Sequence, residues 1–211
     1  MALADNKIIG SIPTQLGELT GLTYLDLGIN QLVGTIPSEL AQVRAFTWLS
    51  LCCNQIIGTV PRQLGQLTAL TYLDLGINQL AGTISSQLGQ LTALKFLSLC
   101  CNEIAGTIPS QLGQVSPIER LILSDNQLTG TIPLALTQLT NLGFLYLNIN
   151  NLTGQMPSGF CAAPFPNWRS DGWEGNTLWA DCMSEVECEC CDRCFDSGNF
   201  FCWNGSDFSL C

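Results

Sequence analysis

An asparagine returns at a constant interval along this chain, and that strict period constrains the fold more than any other feature of the sequence. The repeated frame is L-x-L-x-x-N-x-(L/I)-x-G-x-(I/V/M)-P, and no insertion or deletion interrupts it. Its asparagines are Asn6, Asn30, Asn54, Asn78, Asn102, Asn126 and Asn150. A fixed period in the range of about 20–50 residues predicts stacked structural repeats, in which each unit buries its apolar face against the next.

Within one repeat, the spacing of apolar and polar residues predicts a short strand followed by a tight turn. Leu73 and Leu75 lie two positions apart, which is the period of a strand with one buried face. Asn78 stands at the turn, where its amide can bond the backbone of its own repeat and of an adjacent one. Gly82 indicates a position that needs positive φ or close approach of another segment. We therefore interpret the asparagine and the glycine as structural.

The return path of each repeat is predicted to be a single helical turn. Proline closes the frame, stiffens the return path and blocks a helix at its own position, with Ser85 as the one departure. The segment from Gln87 to Thr92 supplies two leucines three positions apart, enough for one helical or 3₁₀ turn on the outer side. The prolines are Pro13, Pro37, Pro61, Pro109, Pro133 and Pro157.

The frame resembles the plant-type leucine-rich repeat, whose distinguishing segment L-x-G-x-I-P is present from Leu128 to Pro133. The resemblance covers residues 1–157. It implies an α/β fold, namely a right-handed leucine-rich repeat solenoid with a parallel sheet on the concave face and 3₁₀ or short helical turns on the convex side. It also implies recognition rather than catalysis, as in receptor ectodomains and inhibitors of cell-wall enzymes. The family usually carries a cysteine-containing amino-terminal cap that this sequence lacks, so we expect an open first edge that allows self-association.

Residues 158–211 are predicted to form a cysteine-rich carboxyl-terminal cap on the solenoid. They carry nine acidic and two basic side chains, and they hold eight of the 12 cysteines. An even number of cysteines in so short a segment favours a disulfide framework, and with it an extracellular or cell-surface location. The connectivity stays open. The cysteines are Cys161, Cys182, Cys188, Cys190, Cys191, Cys194, Cys202 and Cys211.

Two further features bear on this cysteine-rich region. From Ala180 to Cys191 the sequence resembles the cysteine-rich end of leucine-rich repeat proteins from unicellular algae. The four thiols between Cys188 and Cys194 are also dense enough for zinc. The acidic surroundings and the absence of histidine favour disulfides, so we predict no metal site and no cofactor.

Adjacent cysteines at Cys52-Cys53 and Cys100-Cys101 reveal a second period, twice as long as the first, because Leu-Ser-Leu-Cys-Cys-Asn alternates with Leu-Asp-Leu-Gly-Ile-Asn. Strands two apart are separated by about 9–10 Å, beyond the roughly 7 Å limit for a disulfide between Cα atoms. We therefore expect four free thiols that replace small apolar residues.

Candidate binding residues are those that the frame leaves variable and the strand turns outward. Two columns fit. The first is Tyr24, Trp48, Tyr72, Phe96, Arg120 and Phe144, and the second is Asp26, Ser50, Asp74, Ser98, Ile122 and Tyr146. Contiguous exposed aromatics indicate an interaction surface, although neighbouring aromatics can also stack simply to stabilise a sheet. We predict a non-enzymatic module that binds a protein or peptide through these columns.

There are two alternatives to this function, namely a carbohydrate-binding protein or a secreted inhibitor of a cell-wall hydrolase. A glycan would stack on Tyr24, Trp48 and Tyr72, and Asp26 and Asp74 would accept hydrogen bonds from its hydroxyls. A minor alternative is ice binding through a ladder of exposed threonines. These are Thr35, Thr59, Thr83, Thr107 and Thr131.

Composition narrows the function further. The net charge of −10, without any basic cluster, argues against nucleic acid or an anionic membrane as partner. No apolar run is long enough to span a bilayer. The chain has no histidine and no nucleophile elbow or phosphate loop, so we expect no enzyme activity. The sequence starts inside a repeat without a signal peptide, which suggests a longer natural precursor.

Overall fold

Each repeat of the sequence forms one coil of a solenoid, with two short strands and one 3₁₀ turn. The computed structural model describes residues 1–162, 176–179, 201–203 and 208–210. One strand of each coil joins a six-stranded parallel sheet, the concave sheet. Its strands are β2 (Tyr24–Asp26), β4 (Trp48–Ser50), β6 (Tyr72–Asp74), β8 (Phe96–Ser98), β10 (Arg120–Ile122) and β12 (Phe144–Tyr146).

The second strand of each coil lies on the flank of the solenoid, and we call these strands the lateral sheets. They pair in parallel as β1–β3, β5–β7 and β9–β11–β13–β14. The strands are β1 (Ile9–Ser11), β3 (Gln31–Val33), β5 (Ile57–Thr59), β7 (Gln79–Ala81), β9 (Ala105–Thr107), β11 (Gln127–Gly130), β13 (Asn151–Gln155) and β14 (Thr177–Trp179).

The outer side of the coils consists of six short 3₁₀ turns, as the sequence predicted. They span Thr14–Glu18, Ser38–Gln42, Arg62–Gln66, Ser86–Gln90, Ser110–Gln114 and Leu134–Gln138. Five of them begin after a proline with φ between −68° and −61°, the angle that the proline ring imposes. At the exception, the Ser85 hydroxyl accepts a hydrogen bond from the Gln87 N–H at 3.4 Å. The serine thus caps the turn where proline is missing.

The core is one continuous column of aliphatic side chains that runs through all described coils. Most framework leucines are buried, and Leu73, Leu75 and Phe46 are fully so. No single coil could bury this surface alone, so the stacking of neighbours is what stabilises each repeat.

The asparagine ladder joins consecutive coils, which confirms its structural interpretation. The Asn78 Oδ1 accepts a hydrogen bond from the Ile56 N–H of the preceding coil at 3.0 Å. Its Nδ2 donates to the Leu51 carbonyl of that coil at 3.0 Å, and to the Leu75 and Gly76 carbonyls of its own coil at 3.2 Å each. The amide thereby satisfies backbone groups that the sharp turn would leave buried without partners.

Parallel pairing continues beyond residue 157, into the region assigned from sequence to the cap. β14 pairs with β13, and the Asn176 Oδ1 accepts the Leu152 N–H at 3.0 Å, as a ladder asparagine does. These described residues thus extend the parallel pairing and the asparagine ladder past residue 157. The step from Asn150 to Asn176 is slightly longer than the regular step from Asn126 to Asn150, which hid the match. The division at residue 157 into solenoid and cap stays a prediction.

Three further elements lie in the carboxyl-terminal region. A short helix, α1, spans Gly159–Ala162. The strands β15 (Phe201–Trp203) and β16 (Phe208–Leu210) pair in antiparallel fashion. Six of the eight cysteines expected to form disulfides, including the Cys188–Cys194 cluster, lie outside the described residues. For Cys161 in α1 and Cys202 in β15 the structure describes the backbone alone.

Candidate binding surface on the concave sheet

The first four candidate residues of the first column form a continuous stack along the solenoid axis. Each of its members pairs directly with the member in the next coil, because the strands are in register with the repeat. The ring centroids of Tyr24 and Trp48 are 5.5 Å apart, those of Trp48 and Tyr72 3.5 Å, and those of Tyr72 and Phe96 4.3 Å. The interplanar angles are 20°, 1° and 7°. The four rings, the aromatic ladder, therefore lie face to face and present their edges to the concave side.

Because the rings stack on one another, a ligand can reach their edges more readily than their faces. Both faces of Trp48 and both faces of Tyr72 are covered by neighbouring rings. A sugar ring stacks on an aromatic face, so the expected stacking of a glycan on Trp48 and Tyr72 does not fit this arrangement. What the ladder offers is a strip of ring edges, which carry positive potential and attract oxygen atoms of a ligand.

Beyond the ladder, the first column changes character. The Arg120 guanidinium carbon lies 5.0 Å from the ring centroid of Phe144, a cation–π contact, and Arg120 is exposed. The Phe144 ring lies 6.4 Å from that of Tyr146 in the second column. Ile122 is half-buried beside them. This end of the face is basic and apolar.

Two carboxylates of the second column are fixed beside the ladder. The Tyr72 hydroxyl donates to Asp74 Oδ2 at 3.3 Å, and the Gly76 N–H donates to Asp74 Oδ1 at 3.0 Å. Asp26 has the same contacts, from the Tyr24 hydroxyl at 3.2 Å and from a backbone N–H at 3.0 Å. Burial and then the Asp74 carboxylate raise the pKa of the Tyr72 hydroxyl above its usual range. Neither aspartate has a basic partner within the described residues.

Ser50 and Ser98, the other polar members of the second column, are only 5% and 3% exposed. The Ser50 Oγ lies 3.6 Å from Cys52 Sγ, and the Ser98 Oγ lies 3.5 Å from Cys100 Sγ. Both hydroxyls therefore contact a thiol rather than solvent. The accessible carboxylates of the column are the two aspartates.

Glycine and cysteine alternate at the next outward position, and sequence reasoning missed how the two residue types pack against each other. An ideal Cβ added to Gly28 would lie 3.1 Å from Cys52 Sγ, and one added to Gly76 would lie 3.0 Å from Cys100 Sγ. Each thiol thus occupies the space that the glycine of the preceding coil leaves open. The alternation of Gly-Ile with Cys-Cys in successive repeats was the available signal.

The four cysteines of the solenoid are free thiols, as expected from the sequence. Burial raises the pKa of Cys52 to about 12. Burial, followed by the neighbouring Cys100 thiol, raises the pKa of Cys101 to about 12. Because the thiolate is the reactive form, these two cysteines are poor nucleophiles at neutral pH.

A bordering column of left-handed residues was also missed. Ile29, Ile77 and Ile149 have φ of 52°, 55° and 54°, and each is more than half exposed. Cys53 and Cys101 continue the column with φ of 57°. A β-branched residue is strained in this region, and exposure gains it no burial. The helical and strand patterns of the sequence carry no signal for such a conformation.

The threonine ladder lies on the lateral sheets, and its five members are exposed. Each threonine methyl fills space above the glycine of the next coil. The Thr59 Cγ2, for example, would lie 2.8 Å from a Cβ on Gly82, whose φ is 81°. An open groove of about 1210 Å³ runs beside the ladder from Ser11 to Ser85, and a second of about 760 Å³ continues from Thr83 to Pro133.

Metal sites and membrane-spanning helices are both absent from the part of the chain that the structure describes. These residues contain no group of three or more histidine, cysteine or acidic side chains arranged to hold a metal ion. Among the same residues, no helix has the length and apolar character needed to cross a membrane.

Comparison with known proteins agrees with the repeat architecture. The family model described as "Leucine Rich Repeat" matches residues 21–43, 93–115 and 117–139. A plant peptide hormone receptor, RGFR1 in complex with RGF2, is 34% identical with a TM-score of 0.80, over 84% of this chain and 28% of that one. This chain thus spans little more than a quarter of that receptor chain. No curated protein sequence matches significantly.

Two other solved structures are similar over more of their own length. The BIR2 ectodomain from Arabidopsis thaliana is 36% identical over 62% of this chain and 67% of that one, with a TM-score of 0.55. A plant ice-binding protein is 27% identical over 89% of this chain and 76% of that one, with a TM-score of 0.64.

Proposed function

Because this chain belongs to the plant-type leucine-rich repeat family, we propose that it is a recognition module whose concave face binds an extended peptide. The observation that carries the proposal is the first column, a stack of four aromatic rings followed by an exposed arginine. The framework leucines and asparagines already account for the solenoid. The variable outward residues lie outside that framework, and a contiguous aromatic surface of this kind is typical of an interface.

The geometry favours a peptide over a glycan. Ring edges and two carboxylates without basic partners among the described residues can receive carbonyl oxygens and cationic groups, both of which a peptide supplies. A sugar would need ring faces that are covered. The receptor RGFR1 is recorded in complex with RGF2, which supports a peptide on the corresponding fold. A folded protein, such as a cell-wall hydrolase, could present an extended loop to the same strip.

Selection from a random peptide library on the immobilised protein tests this proposal. The selected peptides are then measured against Trp48→Ala and Tyr72→Ala, and against Thr83→Val on the lateral sheet as the matched control. We expect each ladder variant to weaken binding about 30-fold, the loss typical of a central aromatic hot spot, and the control to change it less than two-fold. Equal losses in ladder and control variants would refute the concave face as the site. A glycan array on the same protein tests the alternative.

Three associated properties follow from this proposal. The module acts without catalysis, because the accessible polar groups serve as hydrogen-bond acceptors and no histidine is available as a base. It acts outside the cell or at its surface, in keeping with the ectodomain similarity and the cysteine-rich end. Self-association through the amino-terminal edge remains a proposal, and sedimentation analysis over a concentration series tests it.

Ice binding is the second candidate, favoured by the exposed threonine ladder and by the similarity to a plant ice-binding protein. Each threonine methyl is held over a glycine, so the side chains form a fixed array. Thermal hysteresis measured on the wild type and on Thr83→Val tests it. Activity that the valine variant loses and Trp48→Ala keeps would support this function, and absence of activity in the wild type would exclude it.

A further inference from the structure

The outward chemistry of the concave face repeats every two coils, not every coil. Tyr24 with Asp26 recurs as Tyr72 with Asp74, and the coil that follows each pair carries an aromatic ring beside a buried serine. Neighbouring strands lie about 4.7–4.9 Å apart, so the two tyrosine–aspartate pairs are separated by about 9.4–9.8 Å along the solenoid axis. A ligand that matches both pairs must present equivalent groups at this distance.

Among regular peptide conformations, polyproline II matches this period best. It has three residues per turn and a rise of about 3.1 Å, so every third side chain points the same way at about 9.3 Å. In a β-strand, side chains on one face repeat at about 6.6–6.8 Å. Seven residues of an α-helix span about 10.5 Å, and a helix about 10–12 Å wide covers the strip poorly. Of these three conformations, only polyproline II keeps equivalent side chains in register with both aspartates.

The surface chemistry also suits this conformation. The backbone carbonyls of polyproline II form no internal hydrogen bonds, and the positive ring edges of the ladder attract such oxygens. The strands of the concave sheet pair with one another, so an added β-strand would gain no main-chain ladder from this face. A preformed proline-rich segment also loses less conformational entropy when it docks on an aromatic surface.

Charge sets which side chains face the aspartates. Asp26 and Asp74 are half-buried and lack a basic partner within the described coils, so each attracts a cation. One further period along the axis, the corresponding positions are Arg120 and Ile122. A third cation would meet Arg120 and be repelled, whereas an acidic group would be attracted.

We propose that the concave face binds a polyproline II peptide with basic residues three positions apart and an acidic residue three positions further on. This rests on the proposed function and names its ligand class. The peptide axis runs along the aromatic ladder. Its two basic groups contact Asp26 and Asp74, and its acidic group contacts Arg120.

A labelled heptapeptide provides the direct test. It carries arginine at its first and fourth positions and glutamate at its seventh, with proline elsewhere, and its binding is followed by fluorescence anisotropy at low salt. One control has the same composition with the two arginines adjacent, and another has glycine and serine in place of proline. We expect the adjacent-arginine control to bind at least ten-fold more weakly, and the flexible control about five-fold more weakly because it must be ordered.

Charge variants of the protein localise the contacts. Asp74→Asn keeps an acceptor oxygen for the Gly76 N–H but removes the charge, and should weaken the heptapeptide about five-fold. Glu103→Gln removes one exposed charge outside the concave sheet and should change binding less than two-fold. Arg120→Gln should remove the preference for glutamate over arginine at the seventh position. Equal effects of Asp74→Asn and Glu103→Gln would overturn the register.

The outcome separates this inference from the proposed function. If library-selected peptides depend on Trp48 and Tyr72 but the heptapeptide binds no better than its adjacent-arginine control, the ligand class is wrong and the concave site stands. If no peptide depends on either ring, both proposals fail.

Discussion

The concave sheet and the lateral sheets arise from the same repeat, yet they use it differently. Direct partners on the concave sheet hold the same position in successive repeats, as Leu25 and Leu49 do, whereas lateral partners such as Gly58 and Leu80 hold different ones. On the lateral side, threonine over glycine recurs in every coil from Thr35 to Thr131. On the concave side, glycine and cysteine alternate, and so do aspartate and serine. The threonine–glycine contacts are packing that every coil repeats, whereas the tyrosine–aspartate pairs recur only every second coil and belong to the surface that we propose for recognition.

The largest expected effect is at the asparagine ladder, which joins consecutive coils. Asn78→Ala would leave the Ile56 N–H without this partner, and the Leu51 carbonyl would keep only the amide of Asn54 as a side-chain donor. An unsatisfied buried group costs about 1–3 kcal/mol, so we expect the free energy of unfolding to fall by about 3 kcal/mol. Urea unfolding measures it. The exposed neighbour Gln79→Ala is the control and should change stability by less than about 0.5 kcal/mol. Similar losses in both would contradict the ladder's role.

Two glycines of the lateral sheets allow the cost of backbone strain to be measured separately from the cost of a steric contact. An added Cβ at Gly82 meets Thr59 Cγ2 at 2.8 Å, whereas one at Gly10 meets nothing within 4 Å, although both have positive φ. Gly10→Ala should therefore cost only the left-handed strain of about 1–2 kcal/mol, and Gly82→Ala distinctly more. Thr59→Ser, which removes the methyl, should recover part of the difference in a double-mutant cycle. Unfolding free energies of the four variants test this, and equal costs at the two glycines would refute the contact.

The left-handed isoleucines offer a gain in stability. Asparagine tolerates this conformation better than a β-branched residue, and Ile77 is 52% exposed, so little burial is lost. We expect Ile77→Asn to raise the free energy of unfolding by about 1 kcal/mol. Ile57→Asn, at a similarly exposed strand position, should not stabilise. If Ile77→Asn destabilises more than its control does, the isoleucine has a packing role.

The smallest expected effect concerns the thiol of Cys52, which lies in the coil between those of Gly28 and Gly76. With its pKa raised to about 12, Cys52 should react slowly with iodoacetamide at pH 8, and the rate should rise with pH up to about pH 12. Peptide mapping after timed alkylation measures the rate at this residue. The same site in denatured protein is the control and should react faster. Equal rates in both states would show that the thiol is not buried as described.

Most of the scaffold could be predicted from sequence, because the repeat has a constant length and each copy defines its own strand, turn and 3₁₀ segment. The leucines, the asparagines and the prolines each repeat a conformation that one coil already defines. The stacking of Trp48 on Tyr72 could not be predicted, since it depends on strand spacing and side-chain rotamers together. Nor could the burial of Ser50, which follows from its contact with Cys52. The rung at Asn176 was missed because the interval that precedes it departs from the regular step.

The contrast between the two faces is tested most directly by calorimetric titration of one library-selected peptide into two double variants. Trp48→Ala/Tyr72→Ala alters the aromatic ladder, and Thr59→Val/Thr83→Val alters the lateral array, with circular dichroism confirming that both remain folded. We predict at least a 30-fold loss of affinity in the first and less than a two-fold change in the second. A loss of equal size in both, or in the lateral variant alone, would contradict the assignment of recognition to the concave sheet.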